Sequence, residues 1–328
     1  NHLYQLKICF HWQSPPIDIK IGKTFIDMFQ ARGMSLQNPV SSAPKTVSPK
    51  QVAKAIGVSE SSLKRWCDQG LIPMSRTEGG HRRLNPADVV AFIRKSDRHL
   101  AEPELLGLPA GDAKQINFTE PCVDRLTQAL IDGKDEVCRR LIFDLYLGNE
   151  RLGRIFDELI APSFAQIGSK WRNGNLDIYQ ERRAGEICES ILIELRSYLP
   201  IPNERSPYAI GATPAGDSYR IANRMAELIL RELGWNAVSL GVSLPFATIE
   251  KAIERYNPKL LWLSVSAIIK QETFFSEYEQ LRKSAGSQLA IIMGGNALTD
   301  DVRSRMDCTA YCDHMQDLES CVTNIFKA

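Results

Sequence analysis

Hydrophobic positions change their period three times along this chain. From Pro49, the residues Val52, Ala53 and Ile56 recur at helical spacing, Ser48 offers a capping hydroxyl, and Gly57 closes the segment. Ser59 caps a second short helix, Glu60 to Asp68, with Leu63 and Trp66 on its inner face. Two short helices about a glycine turn make a helix-turn-helix pattern. A glycine pair, Gly79-Gly80, flanked by Arg76, His81, Arg82 and Arg83, predicts a hairpin wing with a cationic tip. Asn85-Pro86 then opens a third helix over 87–95, whose Val89, Val90 and Phe92 close a small core.

The second period covers 119–199. It is helical throughout and broken at Gly133, Gly148 and 171–174, predicting a bundle of four helices near 120–132, 134–147, 150–170 and 177–199. Beyond Pro202, short apolar runs (208–213, 237–241, 260–265, 289–293 and a weak one at 309–312) alternate with amphipathic helices. That alternation predicts a doubly wound parallel five-stranded sheet of the flavodoxin-like kind. The fold class is therefore multidomain, α and α/β. The expected division is a leader over 1–45, a winged head over 46–95, a linker over 96–118 rich in Pro and Gly, a bundle over 119–200 and a sheet domain over 206–328.

Charge sharpens the picture of the head. The whole chain carries a net charge of +1, yet residues 46–95 hold nine Lys/Arg against four Asp/Glu. Such concentration on one module suits a nucleic-acid head on a neutral body. Ser59, Ser61, Ser62, Lys64 and Arg65 would face the major groove or its rim, and Arg76, His81, Arg82 and Arg83 the phosphates or minor groove. The eight cysteines form no C-x-x-C pair, and Cys138 and Cys188 fall in helical patterns as buried free thiols, which places the protein in a reducing cytoplasm. Cys308 and Cys312, with His314 nearby, lack a fourth zinc ligand, so no metal is expected. No apolar run reaches the ~20 residues a membrane span needs. No nucleophile–base pair, P-loop or H-E-x-x-H motif is present, so an enzyme is not expected.

The R-T-x-G-G-H-R-R wing and the helices before it resemble the DNA-binding head of the MerR family, in its light- and cobalamin-responsive photoreceptor branch. A bundle followed by a parallel sheet is similar to the cobalamin-binding module of that branch and of corrinoid proteins. The resemblance implies a cofactor site at Asp217, Ser218, Tyr219 and Ala222 (the D-x-H-x-x-G segment), at Ser264 and Ser266, and at Gly294-Gly295 around the nucleotide tail. It further implies Trp171 and Glu181-Arg182 over the upper face of the corrin. Two histidines of that pattern are absent: Tyr219 stands at the cobalt ligand and Arg182 at the upper face, while Ala222 replaces a glycine. His81, His99 and His314, the histidines beyond the leader, are expected off the cleft loops.

Three roles stay open for the body. It acts without cofactor as an oligomerisation or protein-interaction module, it binds cobalamin without a protein axial ligand, or it senses another group such as haem, for which a cysteine ligand remains open. A corrinoid-carrier or adaptor protein is the rival class. Expected partners are an operator in double-stranded DNA, further copies of the chain as dimer or tetramer, and a second regulatory protein.

Overall fold

The structure, a computed structural model, describes residues 46–96, 98–110, 120–286 and 288–326. In the head, α1 (Pro49–Ile56) and α2 (Glu60–Asp68) are followed by the hairpin β1 (Ser75–Arg76) and β2 (Arg82–Arg83), then α3 (Pro86–Lys95). A capping box opens α1: Ser48 Oγ accepts from Gln51 N, and the Gln51 side chain accepts from Ser48 N. Val52, Leu63, Ile72, Leu84, Val89, Val90 and Ile93 fill the small core. Phe92, expected inside, is half-buried and packs on Trp66 at 5.0 Å between ring centroids. Val47 exchanges backbone bonds with Leu84 and so adds a third strand position to the wing.

Residues 98–110 are not the loose linker that their prolines and glycine suggest. Ala101 N and Glu102 N both donate to Ala55 O, at 2.7 and 3.1 Å, and Leu106 and Leu108 are buried. Arg139 Nη2 donates to Gly107 O at 2.8 Å, and Tyr198 Oη to Leu106 O at 3.3 Å. Leucines between the turn residues give this strap apolar surface to bury, and it runs from α1 onto the bundle. The rest of the expected linker, 111–118, the first expected bundle residue, 119, and the leader, 1–45, lie outside the described residues.

The bundle comprises α4 (Glu120–Ile131), α5 (Asp135–Leu147), a third helical stretch and α8 (Ile178–Arg196). The third stretch is broken into α6 (Leu152–Ile155), a π-helical turn (Phe156–Ile160) and α7 (Ala161–Arg172). Pro162 has no N–H for the carbonyl of Glu158, which accounts for the widened turn just before it. The sheet follows as β3 (Tyr208–Pro214), α9 (Ile221–Glu232), β4 (Asn236–Leu244), α10 (Phe246–Tyr256), β5 (Leu260–Ser264), α11 (Gln271–Ala285), β6 (Ala290–Gly294), α12 (Asp300–Ser304), β7 (Ala310–Tyr311) and α13 (Met315–Phe326). All its strands are parallel in the order β4-β3-β5-β6-β7. Strand order reverses between β3 and β5, so a crevice for ligands opens beyond their carboxyl ends. The bundle packs with α9 and α13 on one face of the sheet, and α10, α11 and α12 cover the other.

A half-buried ion pair joins head and body. Arg94 on α3 meets Glu232 at the end of α9 at 2.8 Å, with side chains 15% and 17% exposed. Arg94 Nη2 also donates to Glu150 O, Leu152 N donates to Glu232 Oε2, and the guanidinium lies 3.9 Å over the Tyr146 ring. One arginine therefore ties the head to both parts of the body.

Candidate functional site

Two surfaces carry the chemistry. The first is the outer side of the head. Lys64 and Arg65 are exposed on α2, which Ser59 caps by accepting from Ser62 N at 3.2 Å. The Ser59 hydroxyl also bonds those of Ser61 and Ser62, at 2.9 and 3.0 Å. The wing turn is set by Thr77, which bonds His81 and Gly80, with Gly80 at φ +77° where an L side chain would be strained. Register places Arg76 directly opposite Arg82. Like charges facing across a strand pair repel unless an anion lies between or near them. Among the described residues none of Lys64, Arg65, Arg76, Arg82 and Arg83 forms an ion pair, whereas Arg94 does.

The second surface is a two-part cleft where the bundle meets the carboxyl ends of the strands. A chamber of about 430 Å³ lies between α7–α8 and the loop after β3. Glu181, Arg182, Ser218, Tyr219, Ala222 and Ser266, all expected at a cofactor, line it. A smaller slot of about 210 Å³ lies over β5 and β6, against α13, and includes Ala222, Ser264, Gly294 and Gly295. Ala161, Ala222 and Met225 border both spaces, so the two lie side by side. The π turn serves this site: it turns the Asp157 carboxylate onto Met315 N and Gln316 N, both at 2.9 Å, and so fixes the start of α13 beside the slot.

Several expectations change. Trp171 is half-buried in the bundle and lines neither space; α7 brings Ile160, Phe164 and Ile167 to the chamber instead. Asp217 lies fully buried behind the cleft rather than on its surface. Its Oδ1 accepts from Tyr219 N, and its Oδ2 from Ser266 N and Ala267 N, so it pins the loop after β3 to the loop after β5. The turn that results holds off the start of α9 until Ile221. His314 was expected off the cleft, yet it borders the slot with Cys312. The slot is also narrower than its small residues imply, because the Trp262 indole forms part of its wall. Strand alternation carries that signal: Trp262 stands two residues before Ser264 and must share its face. Glu189, Arg220 and Met225 were missed as well, being ordinary helix or loop residues in the pattern.

Electrostatics decide what these groups offer. Burial pushes the Tyr219 phenol up to about 12, with Arg182 pulling it down and Glu181 and Asp217 adding to the rise, so it is neutral near pH 7. Burial also pushes the Cys312 thiol up to about 12, helped by the neighbouring Cys321. Asp217 is raised from the usual carboxylate range by burial, against its three backbone N–H bonds. Among the described residues no three His, Cys, Asp or Glu side chains gather as a metal cluster. No helix among them is long and apolar enough to cross a membrane.

Head and cleft together define a helix-turn-helix domain joined to a body with the corrinoid-protein fold. Residues 46–97 match a helix-turn-helix domain family, and 122–196 match a B12 binding domain family. The chain has the CarH-like architecture: it is 26% identical over 144 residues to the HTH-type transcriptional repressor CarH of Myxococcus xanthus, covering 44% of this chain and 48% of that protein. It is also 22% identical over 241 residues to methionine synthase of Mycobacterium tuberculosis (strain ATCC 25618 / H37Rv), covering 70% of this chain but 20% of the enzyme. The chain thus spans about half the length of one curated relative and a fifth of the other. Among solved structures, the monomethylamine corrinoid protein of Methanosarcina barkeri superposes with a TM-score of 0.54 at 15% identity, over 63% of this chain and 99% of that one.

The fold implies cobalamin, and the residues present fit it only in part. Ser264 Oγ is buried without a partner in the slot, as a hydroxyl awaiting a polar ligand atom would be. Gly294 and Gly295 cannot carry a side chain, since a Cβ would lie 2.7 Å from Cys312 O and 2.3 Å from Val265 O; their own backbone neighbours explain them. Tyr219, at the position that the resemblance gives to the lower cobalt ligand, offers a neutral phenol, a far weaker donor than imidazole. Among the described residues lining the chamber there is no imidazole that could hold a metal.

Proposed function

We propose that this chain is a sequence-specific DNA-binding transcriptional regulator, with a body that responds through its cleft rather than through a histidine-ligated cobalt. The observation that carries the DNA assignment is the unpaired cationic face of the head. Arg76 and Arg82 sit opposed on the wing with Arg83 beside them, and no acid among the described residues neutralises them. Such an arrangement is relieved by a polyanion, and phosphates of a duplex supply one. Arg82 and Arg83 reach phosphate or minor groove, while Lys64 and Arg65 on α2 read the major groove or its edge. The CarH likeness, in both architecture and name, supports this reading.

For the body, the reading is a ligand-responsive module that also assembles copies of the chain. Exposed apolar residues on α8, Tyr179 at 68% and Ile193 at 51%, leave surface for a second copy. Two tethered heads then gain affinity through effective concentration on a repeated operator. Haem held by Cys312 is disfavoured by the protonated, partnered thiol.

Fluorescence anisotropy with promoter and random duplexes tests the assignment. A specific duplex should bind tighter than random DNA by ~10³-fold or more. Absence of binding to any duplex, by a folded protein, would leave an adaptor or carrier. Light scattering on the same sample reads the number of copies.

A further inference from the structure

We propose that Trp262 decides what the cleft accepts: it fills the sheet-side slot, so the site takes a compact, donor-bearing amphipathic ligand in the chamber and turns away ligands with a nucleotide-sized tail, cobalamin included. This deepens the reading of the body as a ligand-responsive module and rests on it.

The indole is held from several sides. Trp262 is 2% exposed and lies flat against Gly211, where a Cβ would come within 1.9 Å of the ring. Only glycine on β3 leaves room for an aromatic plane on β5. Trp262 Nε1 donates to Asn223 Oδ1 at 2.7 Å, and Asn223 Nδ2 donates in turn to Ser239 Oγ at 2.9 Å and Gly241 O at 3.1 Å. Elements β3, β4, β5 and α9 thus fix one rotamer. Swinging the ring aside would strand two buried polar groups, so the slot does not open by side-chain motion alone.

What remains beside the indole is about 210 Å³, below the roughly 300–1,000 Å³ of pockets that enclose small organic ligands. The chamber, at about 430 Å³, is within that range. The unpartnered hydroxyl of Ser264 shares the slot with the indole, on the same face of β5. A tail long enough to use that hydroxyl meets Trp262.

The chamber indicates the ligand's chemistry. Glu181 and Glu189 are its inner polar groups, with side chains 17% and 15% exposed, and stand about 12 Å apart along α8. Their arginine partners, Arg182 and Arg220, are 57% and 58% exposed at the rim. Acceptors inside and cations outside, over apolar Phe164 and Met225, suit an apolar frame bearing N–H or ammonium donors.

The test compares the wild-type chain with Trp262→Ala and with Trp262→Leu, which keeps apolar contact on the sheet if the smaller residue loosens the domain. Circular dichroism melts establish that each variant is folded. The probes are cobalamin and the free dimethylbenzimidazole ribonucleotide, followed by calorimetry and by the thermal shift each produces. At least a ten-fold gain in affinity for the free nucleotide is expected in a folded Trp262 variant, with a rise in its melting temperature and none in the wild type. Cobalamin should gain in parallel. Equal binding of either probe by wild type and variants overturns the proposal, and so does a folded variant that gains neither. Duplex binding by the wild-type chain is measured separately: its failure rejects the regulator reading and leaves the slot result standing.

Discussion

The wing arginines and Arg94 belong to one small domain and have opposite fates. Arg76, Arg82 and Arg83 have no acidic partner among the described residues, while Arg94 is stacked on Tyr146 and bonded to Glu232 and Glu150. Several arginines of the body are paired like Arg94: Arg139 meets Glu194, Arg303 meets Asp313, and Glu227 is enclosed by Arg196, Arg224 and Arg231. The wing instead gathers its unpaired cations at one tip, with Arg76 opposite Arg82 and Arg83 beside them, which is the face proposed to meet a duplex. Net charge conceals this difference; pairing reveals it.

Four variants sharpen that contrast, and the largest effect belongs to the paired arginine. Arg94→Ala leaves Glu232 buried without its cation and should cost roughly 3–5 kcal/mol in urea unfolding. A cost below that of an ordinary surface substitution would mean the head is not anchored there. Asp217→Asn puts an amide N–H against backbone N–H groups of the pinned loop, and ~1–3 kcal/mol of stability should be lost. Because burial raises Asp217, its folded form holds a proton more firmly than the unfolded chain. Its contribution is therefore full below the unfolded carboxylate range and is lost as pH rises above that range through the raised folded value, a slope the Asn variant should lack. The Arg82→Ala/Arg83→Ala pair should leave the melting curve nearly unmoved and weaken duplex binding roughly ten-fold at moderate salt. Ser48→Ala removes the cap of α1 and should cost about 1 kcal/mol, read as a lower unfolding midpoint of the head.

Much of this was legible before the structure. Caps, glycine turns and periodicity located every helix of the head and the alternation of the sheet, because those signals are local. The strap over 98–110 was not legible: its prolines and Gly107 read as a break, and only the burial of Leu106 and Leu108 against distant helices orders it. Nine proposed cleft residues, including Glu181, Tyr219 and Gly295, line the two spaces, while Trp171 and Asp217 are set back by packing that spacing does not encode. Trp262 could have been found from its place two residues before Ser264. Its bond to Asn223, made across 39 residues, could not.

The head's claim on DNA is tested most directly by the salt dependence of duplex binding for the wild-type chain and the Arg82→Ala/Arg83→Ala pair. If both arginines meet phosphates, log affinity should fall linearly with log salt, and the double variant's slope should be shallower by about 1.8. Identical slopes for the two proteins would contradict a phosphate-gripping wing.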